Sequence, residues 1–477
     1  TQGDALYTQV WENKGPAYYL INALGVMIDY WHGVYVLELV ALLATAVLMW
    51  RIARLAVGPW LAAAAATLAL APLARTLVGG NLVEEWAMPW LALTVLTTSR
   101  AVVEVGRRPV ARGAALGVAV GVMLALRPNL AAFAVVASLG AAVYWVWRGG
   151  WRAVFRLAGS AVGACAAVLG LAAIWLASQG SLGAAWRAAY GDVLHWEYSR
   201  SARLTNAIEM IAYLRTSGTL VLVGLFCLAV VGLVGRRVWV FVAGMDPQPV
   251  RLGAPQRWIA LVGAAGWAAN LAANLVSGNP DPNYMMTFVP LLAWPIAYLM
   301  AKAVRVARAW ARLRLVWAQG LVAGAALGLA AFAVPVAVSW GETVIWEPTD
   351  ASRSVQLAAR YLDAATSPGD RVALIGFAAP VYYAAQRAPA LARSYDPMST
   401  FSAEFKREWC DAQAQDMLDG EAELIAFSSP TAQNSWLTRA VSPELGAALT
   451  ELLEREYRPV DNPYGWAVYR RTSAGEG

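Results

Sequence analysis

Gly79-Gly80-Asn81-Leu82-Val83-Glu84-Glu85-Trp86 sets two adjacent carboxylates between two long apolar segments. Neighbouring acids at the mouth of membrane-length apolar sequence are costly unless they face water, a cation or a substrate. A second stretch, Trp11-Glu12-Asn13-Lys14-Gly15-Pro16, supplies a carboxylate and an ammonium just ahead of another apolar run. Read together, the two are walls of one external site that the rest of the chain holds at a membrane surface. This reading decides the fold class: mainly α, a polytopic helical membrane domain followed by a small α/β domain.

Composition points the same way. Of 477 residues, 59% are hydrophobic and only 14% charged, against about 45–50% and roughly 25% in soluble domains. The net charge of +6 does not mark a nucleic-acid partner, because most of the basic residues sit in short loops between apolar runs, as topology determinants do. The three cysteines form no framework, and the two histidines have no metal-ligand spacing.

Ten spans are expected, near 32–50, 60–77, 86–104, 113–127, 130–147, 157–178, 217–235, 258–276, 284–303 and 315–338. The fourth is short, and merging with its neighbour as a re-entrant pair is its plain alternative. Ahead of them, the run from Pro16 to Ile28 suits a helix lying at the interface. Every odd-numbered span leads into a basic loop: Arg51 and Arg54, then Arg107, Arg108 and Arg112, then Arg148 and Arg152, and so on to Arg312 and Arg314. These loops are therefore cytoplasmic. The opposite side receives Glu12 and Lys14, the Glu84-Glu85 loop, Arg127-Pro128-Asn129, residues 179–216 and the stretch from Ser277 to Tyr284. The polar residues that look chemical fall on one side. The loop 179–216 mixes tryptophan and tyrosine with arginine, which suits contact with lipid headgroups.

Three parts are expected: residues 1–340 as the transmembrane domain, 341–471 as an extracytoplasmic α/β domain, and 472–477 as a disordered tail. In the second part, 354–365 and 442–457 read as helices, and 371–377, 423–427 and 465–470 as strands. The chain opens on Thr1 in sequence resembling the middle of a loop. The expectation is a missing N-terminal segment with one more span.

Glu84 and Glu85 open a span, where the helix dipole favours an acid. Capping explains one of them; two in succession point in different directions. A carboxylate here can deprotonate an acceptor hydroxyl or hold a divalent cation against a phosphate. Lys14 and Arg127, at the outer ends of other elements, suit a phosphate leaving group; snorkelling to lipid headgroups is the bland alternative. No P-loop, dinucleotide fingerprint or Ser-His-Asp arrangement is apparent in the sequence.

The stretch from Trp11 to Gly25 resembles the end of the first external loop of bacterial GT-C membrane glycosyltransferases, the branch related to protein O-mannosyltransferases and lipid A aminoarabinose transferases. Gly79 to Pro89 is similar to their acidic second loop, and Leu126-Arg127-Pro128-Asn129 to a third shared motif. The resemblance implies transfer of a sugar from a polyprenyl-phosphate donor to a glycan, lipid or protein acceptor, on the outer side of a cell membrane that the chain crosses many times. It implies Glu84 and Glu85 as catalytic, Lys14, Arg127, Asn81 and Asn129 as substrate-binding, and Glu12 with Glu84 as ligands of a divalent cation, magnesium or manganese. Its members carry a catalytic aspartate well upstream of the Lys-Gly-Pro stretch. Asp4 stands too near Lys14 for that role, so the base is expected in the missing segment. Asn283-Tyr284-Met285 departs from a histidine-containing pattern in relatives.

Two other readings use the same residues. A flippase or transporter puts its charges near the bilayer midplane, in broken helices; here they stand at span ends. A glycan polymerase or ligase takes a lipid-diphosphate donor instead. The orientation is checked by fusing alkaline phosphatase after Trp346. Activity outside the cell is the expected result, and a reporter that works only in the cytoplasm there inverts the site's placement.

Overall fold

The computed structural model describes residues 7, 14–29, 32–73, 81–191, 208, 254–277, 282–311, 350–377, 381–382, 385–391, 403–420, 422–462 and 464–472. Two compact units divide the chain: Lys14–Ala172 with Ser199–Trp346, and Thr1–Asn13 with Ala173–Tyr198 and Glu347–Gly477.

The larger unit is helical. In chain order it holds α1 (Pro16–Ile28), α2 (Gly33–Ala53), α3 (Pro59–Leu70), α4 (Val83–Val103), α5 (Pro109–Leu126), α6 (Ala132–Gly149), most of α7 (Trp151–Ser178), α8 (Ala254–Ser277) and α9 (Val289–Ala311). Prolines set many of the boundaries. Pro16, Pro59 and Pro109 each take the first helical position, where a missing N–H costs nothing. Pro128 follows Arg127, the residue that ends α5, and opens a short 3-10 turn, Pro128–Ala131. That break makes α5 a helix of 18 residues in its own right, so it does not merge with its neighbour.

Among the described residues, five stretches are long and apolar enough to cross a membrane: α2, α5, Pro128–Arg148, α7 and Tyr284–Ala301. They differ in burial. Only 6% of the apolar window of α7 is covered, against 83% of Tyr284–Ala301. Phe155, Val162, Leu171 and Ile174 on α7, and Tyr35, Leu39, Leu43 and Val47 on α2, are exposed apolar side chains. Such surfaces are stable against hydrocarbon and costly against water. α4 is central: it packs on α2, α5, α6, α8 and α9, and most of its length is buried.

Several expected boundaries shift. The span placed at 60–77 is a helix of 12 residues ending at Leu70, and 74–77 lie outside the described residues. The span placed at 284–303 begins as a 3-10 turn, Pro282–Phe288, and becomes α-helical only at Val289. The spans at 217–235 and 315–338 also lie outside the described residues, as does most of the loop 179–216.

Residues 350–472 build a sheet between helices. They run α10 (Asp350–Ala365), β1 (Arg371–Ile375), β2 (Ala388–Pro389), α11 (Ala403–Asp419), β3 (Leu424–Phe427), α12 (Pro443–Glu456), β4 (Tyr457–Pro459) and β5 (Ala467–Arg471). The strand order is β2-β1-β3-β5-β4. β1 pairs in parallel with β2 and β3; β5 runs antiparallel to β3 and β4. Alternation along β1 and β3 buries both faces: Ala373, Ile375, Ile425 and Phe427 join α11 and α12, while Val372, Leu374, Leu424 and Ala426 join α10. Tyr457, read from the sequence as helical, starts β4. β2 and α11 carry no apolar periodicity strong enough to mark them beforehand. The tail from 473 lies outside the described residues.

α5 and α7 meet through small residues. A Cβ on Gly113 would come within 2.1 Å of the Leu157 carbonyl oxygen, and one on Gly117 within 2.0 Å of that of Ala161. The spacing of four between these glycines is the small-residue pattern of close helix approach in membranes. Gly117→Leu is expected to lose about 1–3 kcal/mol, read as a lower thermal midpoint in detergent, while Gly163→Leu, with nothing within 4 Å of its Cβ, leaves the midpoint near wild type.

Candidate active site

The site begins at a backbone junction. Gly15 N–H donates to the carbonyl of Leu126 at 2.8 Å, and a Cβ on Gly15 would stand 2.1 Å from the Ala125 carbonyl oxygen. Only glycine permits this approach. It brings the segment carrying Lys14 against the end of α5, where Arg127 follows Leu126. The Lys14 ammonium lies over the Tyr18 ring, 5.4 Å from its centroid.

Arg127 has an extended backbone, φ −169° and ψ 129°, imposed by Pro128. Its guanidinium reaches Glu84 Oε1 at 3.5 Å and covers the Tyr284 ring at 5.2 Å. Glu84 and Glu85 are both buried, and they occupy the first turn of α4. Glu85 Oε2 accepts the Leu82 N–H at 3.2 Å, satisfying one of the helix's free amides. Glu85 Oε1 is buried and receives no hydrogen bond from a described residue. Further along, Pro89 lacks the N–H that would bond the carbonyl of Glu85. The two glutamates thus have different partners: one faces a cation, the other its own helix end and the Glu38 carboxyl group.

Asn81 is placed differently from a ligand-facing residue. Its N–H donates to Glu38 Oε2 at 3.2 Å, and its carbonyl accepts from the Tyr18 hydroxyl at 3.1 Å. Its amide donates to Asn22 Oδ1 at 2.7 Å, while its Oδ1 accepts from Trp86 Nε1 at 3.1 Å. Asn129 donates to Asn274 Oδ1 at 3.5 Å, and its own Oδ1 meets no described donor. Asn270 and Asn274, one turn apart on α8, both donate to Thr287 Oγ1, at 2.9 and 3.4 Å. Glu12 lies outside the described residues.

The structure therefore brings Lys14, Arg127, Glu84 and Glu85 to one junction of α1, α4 and α5. Sequence reasoning missed Glu38, Asn22, Asn270, Asn274 and Thr287. A signal existed for Glu38, an acid inside an apolar run; the asparagines of α8 were legible only as polar residues on an apolar helix. Of the two expected cation ligands, Glu84 faces a guanidinium and Glu12 lies outside the described residues; among the described residues no group of three or more His, Cys, Asp or Glu is arranged to hold a metal ion.

An apolar helical unit with a charged cluster at its helix ends defines a class of fold rather than a chemistry. Over 96% of its length the chain shares its fold with ArnT from Cupriavidus metallidurans in the apo state, with a TM-score of 0.55, 14% identity and 88% of that chain covered. The archaeal oligosaccharyltransferase AglB from Archaeoglobus fulgidus, in complex with an inhibitory peptide and a dolichol-phosphate, gives a TM-score of 0.46 at 12% identity, covering 97% of this chain and 66% of that one. The fold expected from the motifs is thus met in ArnT. No family model matches the sequence, and no curated protein matches it.

Removing Arg127 leaves a buried carboxylate beside an apolar helix end. Arg127→Ala is expected to cost about 3–5 kcal/mol of stability, and Arg127→Ala with Glu84→Gln in one chain less than the two single losses added. Denaturation of the four proteins in one detergent checks this.

Proposed function

We propose that the chain is a membrane glycosyltransferase that moves a sugar from a polyprenyl-phosphate donor to an acceptor at the extracytoplasmic face. The observation that carries the reading is the junction itself: Gly15 closes on Leu126, which brings the segment carrying Lys14 to the end of α5, where Arg127 meets the buried Glu84 at the N-terminus of α4. The fold shared with ArnT, a lipid A aminoarabinose transferase, supports it.

The parts divide the work. The acceptor hydroxyl attacks the anomeric carbon, the bond from that carbon to the donor phosphate breaks, and the phosphate leaves with the electron pair. Negative charge grows on the phosphate oxygens, and Lys14 and Arg127 are the cations placed to stabilise it. Arg127 has five N–H donors in a planar fork, so it can keep Glu84 while it meets a phosphate. The hydroxyl proton passes to a carboxylate, a role for which Glu84 and Glu85 stand together in the first turn of α4. Asn129, beside Arg127, orients the donor.

The cations stand at helix ends, where a donor phosphate at the membrane surface meets them. A transporter would bind and move the lipid without making a glycosidic bond. Lys14→Ala and Glu84→Gln, made in the longest form of the chain, are expected to lower transfer about 100–1,000-fold with membrane insertion unchanged. The assay follows a labelled sugar from a polyprenyl-phosphate donor into lipid, glycan or protein; wild-type rates in both variants contradict the assignment.

A further inference from the structure

Glu38 sits in α2 between exposed apolar side chains, Val36, Leu39 and Val40, yet is itself 6% exposed. A carboxyl group within a membrane-length helix is expensive and persists where it has work. Its Oε2 accepts the N–H of Asn81 at 3.2 Å, and its carboxyl group faces that of Glu85.

Asn81 is the other half of the arrangement. Its backbone is left-handed, φ 54°, a conformation asparagine tolerates better than most residues. Its four polar groups are all engaged, by Glu38 on α2, by Tyr18 and Asn22 on α1, and by Trp86 on α4. It stands immediately before Leu82, the residue that caps α4 and whose N–H is held by Glu85. Among the described residues, hydrogen bonds from α1, α2 and α4 thus converge on Asn81, directly before the turn that carries Glu84 and Glu85.

We infer that Glu38 and Asn81 are positioning residues for the transfer reaction, acting through the first turn of α4 to hold Glu84 against Arg127 and Glu85 at the helix end, and not by touching substrate. The inference rests on the transferase reading for its consequence, and on the hydrogen-bond geometry for its content. It moves Asn81 from the substrate to the frame. It also makes a chemical distinction. A glutamine at 38 keeps an oxygen for the Asn81 N–H and offers an amide to Glu85, whereas a leucine of similar size offers neither.

The test compares Glu38→Gln, Glu38→Leu, Asn81→Gly and the double variant Glu38→Leu/Asn81→Gly. The probes are synthetic polyprenyl-phosphate mannose, glucose and aminoarabinose with membrane lipid as acceptor. Amide hydrogen exchange over residues 82–86 is read in parallel. Glu38→Gln is expected within about threefold of wild type. Glu38→Leu and Asn81→Gly each lower kcat about 100-fold at unchanged donor KM, as displacement of a catalytic group by an ångström does. The double variant falls no further than the worse single one, because both act through one element. Exchange at 82–86 rises in the leucine and glycine variants and stays at the wild-type level in the glutamine variant. Equal losses in Glu38→Gln and Glu38→Leu, a raised KM at unchanged kcat, additive losses, or exchange unaltered in Glu38→Leu would overturn the inference. If wild type transfers none of the probes, the transferase reading fails and the exchange pattern alone decides: protection lost with leucine and kept with glutamine supports the positioning node, and equal exchange in both overturns it.

Discussion

The contact between Arg127 and Glu84 is the constraint around which the described helical unit is arranged. A glutamate at 1% exposure in an apolar assembly needs a counter-charge or a dense set of donors. The chain supplies a guanidinium 3.5 Å away and the N-terminal end of α4. The guanidinium is not local: 43 residues separate Arg127 from Glu84, so the pair forms only when α4 and the end of α5 stand side by side. α5 ends at the right place because Pro128 stops it, and Pro128 also draws Arg127 into the extended conformation that aims it.

Around that pair the neighbouring elements have little freedom. Gly15 closes on the last carbonyls of α5, which delivers Lys14. Tyr284 lies under the guanidinium, and the turn that carries it is tied to α8 through Thr287 and two asparagines. The asparagine–threonine cluster is buried and joins α8 to the turn before α9, as side-chain hydrogen bonds do between helices in apolar surroundings. The functional reading follows from this economy: charges that cost most when alone are gathered where a phosphate and a hydroxyl would meet.

Much of this was legible in the sequence, for identifiable reasons. Long apolar runs fix helices by composition, and proline fixes their ends. Glu84-Glu85, Lys14 and Arg127 stood out because charge is rare here. The strands around 371–375 and 424–427 showed as short apolar runs after turns. What stayed hidden is non-local. Glu38 was absorbed into an apolar window, since one acid hardly lowers a 19-residue average. Asn81 resembled a ligand-facing residue because its motif is polar, and its partners on α1 and α2 lie 43 to 63 residues away. The glycines of α5 at spacing four carried their signal openly, but the partner helix could not be named without the fold.

The most direct measurement is an experimental structure in lipid nanodiscs with a polyprenyl phosphate bound. The account places the phosphate within salt-bridge reach of both Lys14 and Arg127, with Glu84 still beside the guanidinium and the Leu82 N–H still held by Glu85. A phosphate bound elsewhere, with Lys14 turned to headgroups and Arg127 bonded only to Glu84, would reduce the cluster to an ion pair that holds helices together.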